Sequence, residues 1–400
     1  MENKNKMPQN IVLIVVDCLR ADCAYDKNLM PFTNKIFRYK KEAYTNAPST
    51  HFAMPAILTG KLPFEVTNKE GINEDNIEFY LPKIMKEKGY KTIFITANAV
   101  TSRYFGYNQY CDYFEDFIVK TTSKTINNKI FNVLKVLIPY KIRKSKNKIL
   151  FFLRERVVRL KEDIIRDKIR DKQIVNILKK IKFSNKNFII LHFMGPHTPY
   201  CPENINNKKV IKKVRELTDK LYLGFKLKNE EIKFLKNMYV EEVKQVDKNI
   251  KNIHNFLCDK LKSNFLFIVT ADHGEAFNET GYLAHPRTEI DNIFHLSIPF
   301  FSNKKIKKKI IFTTDIYQII KGKQKQREER PFCISYKKNK NNLYSPLYAR
   351  DYTTNRIIKN IRKTNKLILK IKRENFFNSE EMHIKDAIKY IKVPNFKVSK

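Results

Sequence analysis

The sequence predicts an α/β fold with a parallel sheet at its centre, and three observations predict it. Residues Ile11 to Val16 (IVLIVV), Asn187 to Phe193 (NFIILHF) and Asn264 to Thr270 (NFLFIVT) are β-branched and aromatic runs of the kind that a parallel sheet buries on both faces. Helix-like stretches separate them, as the crossover between parallel strands requires. Each run also leads into residues able to do chemistry: Asp17, the turn Gly195-Pro196-His197, and the pair Asp272-His273. In open α/β sheets ligands bind at the carboxyl ends of the strands, so position alone marks these residues as site candidates.

The elements follow in chain order. After the first strand and a turn, Pro31 to Arg38 (PFTNKIFR) reads as a short helix, and a segment from Asn46 leads through Thr50 into the apolar helical stretch Ala53 to Leu58, closed by Gly60. A second unit runs from Leu81 through PKIMKEK, with Gly89 as its C-cap, into a strand from Lys91 to Ala97. Glu230 to Lys260 carries apolar residues at helical spacing, from Ile232 and Leu235 to Ile253 and Leu257. Residues 120–186 form a Lys- and Arg-dense helical insertion. From about Lys304 the chain is basic again, with alternating stretches (FCISYK, KLILKIK) and a final helix near Glu380 to Ile391. The expected division is therefore 1–302, including the insertion, and a smaller C-terminal α+β part at 303–400.

Composition bounds the function. A chain of 400 residues with 42% apolar residues, 29 Phe and 20 Tyr has enough apolar surface to order itself, which excludes a wholly disordered protein. The formal net charge of +38 points to an anionic partner, although a solvated lysine face in a chain rich in Lys, Ile and Asn needs none. No zinc-finger spacing, basic zipper or aromatic RNA-binding pattern is present, so no specific nucleic acid is expected. The insertion is basic on one face and apolar on the other. Such a face either lies peripherally on an anionic membrane or packs on the parent domain. Six cysteines without a CxxC pair fit reduced thiols. The N-terminus has no apolar signal region, Ile11 to Val16 is too short to span a bilayer, and the expected location is the cytoplasm.

Asp17, Thr50, His197, Asp272 and His273 together form a candidate site. Carboxylates, imidazole and hydroxyl make a mixed O/N donor set suited to one divalent ion, Zn²⁺ or Mn²⁺. A threonine hydroxyl is a poor nucleophile while protonated, and a divalent cation beside it lowers its pKa. At a helix N-terminus it also gains backbone N–H donors for an oxyanion. Taken singly, Asp17 reads as a turn residue, Thr50 as a helix cap and His197 as part of a rigid turn. His273 beside Asp272 resists such a reading, because burying that pair without a partner is expensive.

Four segments carry a resemblance. NIVLIVVDCLRAD resembles the opening strand of sulfatase-like enzymes of the alkaline-phosphatase superfamily, whose terminal Asp binds metal; NAPSTHFAMPAILTGKLP resembles their nucleophile segment. Counting back from Thr59 in its LTG places the nucleophile on Thr50, and the basic residue of that segment is Lys61. LHFMGPHTPY is similar to the substrate-histidine loop, which gives His197. VTADHGEAFNETGYLAH is similar to the segment bearing the second metal pair, here Asp272 and His273, with His285 as a further substrate histidine. The resemblance covers roughly residues 9–118 and 187–300. It implies an alkaline-phosphatase-like large sheet sandwiched between helices and a metal-dependent hydrolase or transferase of phosphate or sulfate esters. One ion is held by Asp17, Thr50, Asp272 and His273, and substrate by His197, His285 and Lys61.

Departures from the family pattern refine this. Thr50, Phe52 and Met54 stand where formylglycine-forming sulfatases need Cys or Ser, Pro and Arg, so no formylglycine is expected. Threonine is the nucleophile in similar phosphodiesterases, lipoteichoic acid synthases and phosphoethanolamine transferases, which favours phosphoryl chemistry on an anionic, lipid-linked or polymeric ester. Cys18 replaces a second acid, and Gly195 stands where many relatives have Asp. Asn98 either faces the pocket or serves a turn. The alternative function is a catalytically vestigial protein of the same fold that binds polyanions or a membrane surface.

Overall fold

Three neighbouring strands, β1 (Asn10–Val16), β5 (Asn187–Phe193) and β6 (Phe265–Ala271), have every residue buried, as their unbroken apolar sequences predict. In this computed structural model the described residues are 7–62, 69–117, 171–205, 207–222, 225–262, 264–279, 281, 283–285 and 292–322, with the strands of a C-terminal sheet between 332 and 383. The central three are joined by β2 (Tyr39–Tyr44), β3 (Lys91–Thr96), β4 (Tyr113–Glu115), β9 (Ser297–Ser302) and β10 (Ile310–Phe312) in an eight-stranded sheet. Its order is β10-β2-β9-β6-β1-β5-β3-β4. All pairings are parallel except those of β9, which runs against both β6 and β2.

Burial of successive residues on the central strands means that both faces of the sheet are covered. The longest helix, α7 (Asn229–Leu261), packs against α1 (Ala21–Tyr25), α2 (Pro31–Ile36), α5 (Asp171–Leu178) and α6 (Lys208–Tyr222). A second group pairs α3 (Thr50–Thr59) with α9 (Thr313–Ile320), while α4 (Leu81–Glu87) rests on β3. The α7 stripe expected from sequence is buried at Ile232, Leu235, Val243, Val246, Ile250, Ile253 and Leu257. Each such side chain contributes about 1.5–3 kcal/mol of burial. This is the α/β, alkaline-phosphatase-like fold that the sequence resemblance implied.

Past 302 the main sheet continues. β10 pairs with β2, and α9 packs on α3, so these residues belong with the segment that carries Thr50. We propose that the division between the two parts falls after Ile320 rather than at 302. Beyond it, β11 (Phe332–Lys338), β12 (Tyr344–Asp351), β13 (Arg356–Ile361), β14 (Lys366–Arg373) and β15 (Phe376–His383) form an antiparallel sheet in sequential order. The stretches FCISYK and KLILKIK are strands there, as expected. The final helix is a correction: residues 380–383 are the end of β15, where the ladder with β14 overrides local helical tendency. Residues 384–391 lie outside the described residues, as do 118–170 of the basic insertion. Its last turn pair, α5, is helical, with Ile174, Val175 and Leu178 buried.

Candidate active site

Register places the first two acids side by side. Val16 lies opposite Phe193 on one side and Ala271 on the other, so Asp17 and Asp272 leave the sheet at the same level. Cys18 then turns the chain with φ 60°, a left-handed conformation that a non-glycine residue holds only when its surroundings impose it. Tyr239 of α7 is that surrounding: its hydroxyl donates to the Cys18 carbonyl (2.8 Å) and accepts the Arg20 N–H (2.9 Å). The buried Arg20 guanidinium in turn donates to the Glu275 carbonyl (3.2 Å), tying the turn after β1 to the loop after β6.

Thr50 begins α3. The preceding loop is pinned by Asn46, whose Oδ1 accepts from the Thr313 hydroxyl (2.9 Å) and the Thr314 N–H (3.0 Å). The Pro48 carbonyl accepts from His295 Nε2 (3.0 Å). At the other end Gly60 closes the helix at φ 65°, and a Cβ there would meet the Tyr317 ring at 2.5 Å, so glycine is required twice over. No side chain caps the N-terminus of α3, and the Ser49 hydroxyl is buried without a hydrogen-bond partner.

Four of the sequence-predicted residues converge. Thr50 Oγ1 lies 3.4 Å from Asp17 Oδ2 and 3.3 Å from His273 Nε2. His273 Nε2 is 3.7 Å from Asp17 Oδ1 and 3.6 Å from Asp272 Oδ2. His273 Nδ1 is held by the Gly274 carbonyl at 2.9 Å, which leaves the proton on Nδ1 and the Nε2 lone pair facing the carboxylates. Asp17, Asp272 and His273 are wholly buried, and Thr50 nearly so. Burial, and after it the charge of Asp272, raises the Asp17 pKa to about 7. Burial and Asp17 also push the Cys18 thiol up, so it remains a thiol and donates to Asp17 Oδ1 (3.0 Å).

These residues fit a divalent cation. Two buried carboxylates with no Lys or Arg paired to them among the described residues are costly, and Asp272 Oδ2 has no hydrogen-bond partner there. A tetrahedral ion with bonds of roughly 2.0–2.2 Å holds neighbouring donor atoms about 3.3–3.6 Å apart. The separations of Thr50 and His273 from their neighbours, 3.3 to 3.7 Å, come close to that spacing, with Asp17 meeting Thr50 through Oδ2 and His273 through Oδ1.

His197 and His285 flank the cluster, with ring centroids 4.7 Å apart and His285 4.9 Å from His273. His285 Nδ1 lies 3.1 Å from the buried Glu275 carboxylate, and His197 Nδ1 2.6 Å from the Thr198 carbonyl. The His197 loop is set by Asp171, which accepts the Met194 (2.9 Å) and Gly195 (3.0 Å) N–H groups. A Cβ on Gly195 would meet Val246 Cγ2 at 2.6 Å and Asp171 Oδ2 at 2.9 Å, so the close packing of the loop requires glycine there.

Lys61 is not brought to this cluster. It follows Gly60 at the C-terminal end of α3, whose nine steps from Thr50 to Thr59 rise about 13.5 Å at 1.5 Å per residue, and its Nζ lies 4.8 Å from the Phe79 ring. We carry the substrate-binding role of Lys61 forward as a proposal. Asn98 serves both of its weighed roles: Oδ1 accepts the Val100 N–H (2.7 Å) and Nδ2 donates to Asp17 Oδ2 (2.5 Å). Sequence reasoning missed Glu275, His295 and His192. His192 left the clearest signal, an imidazole inside an otherwise apolar strand, and burial pushes its pKa down to about 4.

A family model described as Sulfatase matches residues 9–355. The chain belongs to the sulfatase family. No curated protein matches this sulfatase-family chain by sequence. Among solved structures it is similar to the zinc complex of the C-terminal periplasmic domain of EcEptC from Escherichia coli, at 14% identity and TM-score 0.52, covering 88% of this chain and 95% of that one. It is also similar to a phosphonate monoester hydrolase from Silicibacter pomeroyi, at 12% identity and TM-score 0.52, covering 94% and 89%. A 2-O GAG sulfatase aligns at 14% identity and TM-score 0.53, covering 95% and 86%. The fold of this sulfatase-family chain is thus shared with a phosphonate monoester hydrolase, a 2-O GAG sulfatase and a domain solved with zinc. Among the described residues no helix is long and apolar enough to cross a membrane.

Proposed function

We propose that this sulfatase-family chain is a metal-dependent hydrolase or transferase of phosphate esters with Thr50 as its nucleophile. The observation that carries the reading is the position of Thr50 Oγ1, at the start of α3 and within 3.4 Å of Asp17 and 3.3 Å of His273. A divalent ion, zinc or manganese, bound by Asp17, Thr50, Asp272 and His273 would favour loss of the hydroxyl proton and offset charge developing on the phosphoryl group.

The remaining chemistry belongs to side chains. The Thr50 hydroxyl directs its proton at Asp17 Oδ2, and the N-terminus of α3 presents its positive dipole end to the phosphoryl oxygens. Attack forms a bond from Thr50 Oγ1 to phosphorus and breaks the ester P–O bond, releasing the alcohol. His197 and His285 bind non-bridging oxygens or protonate the leaving oxygen. Water, or an acceptor alcohol, then displaces Thr50. A sulfate ester remains a slower substrate of the same machinery, without formylglycine.

The charge of +38 supports an anionic, lipid-linked or polymeric substrate and peripheral contact with an anionic membrane, with no specific nucleic acid. A cytoplasmic setting is supported by six cysteines whose spacing shows no disulfide framework. The same charge favours a second reading, a vestigial enzyme that binds polyanions. Purified protein that contains no zinc or manganese yet sediments with anionic liposomes would select it. The test of the main reading is Thr50→Ala on p-nitrophenyl phosphate and its diester with added Zn²⁺ or Mn²⁺. Turnover should fall by roughly 10³-fold or more. Retained turnover overturns the assignment.

A further inference from the structure

The buried floor of the site holds an imidazole that the proposed reaction does not use. His192 pairs with Val15 of β1 and Thr96 of β3, one position inside the sheet from the strand ends, and its side chain is wholly buried. Its Nε2 has no hydrogen-bond partner. Neither has Asp272 Oδ2. These two residues and Asp17 each offer a donor atom within 4.8 Å of the others.

The neighbours of Nδ1 decide what Nε2 presents. The Asn98 N–H donates to Thr96 Oγ1 (3.0 Å), Thr96 and Thr101 hydroxyls meet at 2.5 Å, and Thr101 Oγ1 lies 3.2 Å from the Asn98 carbonyl. Thr96 Oγ1 also lies 3.4 Å from that carbonyl and from His192 Nδ1, and the shorter contacts favour Thr96 donating to Thr101 and Thr101 to the carbonyl, which uses both hydroxyl protons. Thr101 Oγ1 then accepts from His192 Nδ1 at 3.0 Å. This assignment puts the imidazole proton on Nδ1 and a lone pair on Nε2. A bare nitrogen facing bare carboxylate oxygens is repulsive unless something positive lies among them, and a metal-bound histidine is characteristically tied through its other nitrogen in this way.

We propose that His192 Nε2 is a ligand of the cation held by Asp17 and Asp272, giving that ion two imidazoles, His192 and His273. The inference rests on the metal-dependent reading above and deepens it. A second imidazole moves the donor set toward zinc and away from manganese or magnesium, which favour oxygen.

X-ray absorption tests it on the full chain, stripped with a chelator and reloaded with one equivalent of Zn²⁺. The expected spectrum has outer-shell scattering from two imidazoles and no sulfur. His192→Gln should leave one imidazole and weaken zinc binding, measured against a chromophoric chelator, by about 10–100-fold. One imidazole in the unmodified protein overturns the proposal while leaving the metal-dependent reading intact. So does an unchanged count and affinity in His192→Gln. A sulfur scatterer with two imidazoles would instead place the ion among Cys18, His197 and His285, and would equally overturn it. No zinc bound by the unmodified protein overturns both. Should the variant fail to fold, His192→Asn is read by the same scattering and affinity, with the same outcomes deciding.

Discussion

At the residue scale, the cluster is built on opposing requirements: Asp17 and Asp272 repel in a buried space, and the proposed cation would reconcile them. Asp272→Asn separates the two effects. Without metal the variant should be more stable to denaturant than the parent, because a buried repulsion is gone. With zinc the order should reverse, since affinity falls by roughly 10–100-fold or more and binding no longer stabilises the fold. Denaturation in chelator and in zinc reads both; parallel destabilisation in the two conditions would contradict the account. The residues legible in the sequence were those that end strands, because Asp17, Asp272 and His273 interrupt long apolar runs at a place where ligands bind. His192 and Glu275 were not legible: one hides within a strand, and the other acts through a hydrogen bond to a histidine ten residues away.

At the element scale, the turn after β1 depends on α7. Tyr239 satisfies both the Cys18 carbonyl and the Arg20 N–H, each otherwise buried. Tyr239→Phe should therefore cost about 1–3 kcal/mol in urea unfolding and lower metal affinity with it, because Asp17 sits at the foot of that turn. A change below about 0.5 kcal/mol would show that the turn stands without the clamp. β1, β5 and β6 were readable because strands buried on both faces have nothing polar to confuse the pattern. β2 and β9 were not, since YKKEAY is half exposed and β9 runs against its neighbours. The expected final helix failed for the same reason in reverse: pairing with β14 settled what local sequence left open.

At the scale of the whole molecule, the parallel core and its two helix groups follow from apolar patterning, and the continuation of the sheet beyond 302 does not, because β10 is three residues long. The charge of +38 acts at this scale. If it recruits an anionic ester, KM should rise steeply with salt between about 0.05 and 0.5 M while kcat stays nearly constant. A KM indifferent to salt would assign the lysines to solvation alone.

The most direct measurement of the central claim is a rapid quench of the metal-loaded protein with a phosphodiester, followed by peptide mass spectrometry. A phosphoryl-bearing group on Thr50 during turnover, absent when metal is withheld, is the predicted result. Turnover with that group on another residue, or on none under conditions that trap phosphothreonine, would contradict it.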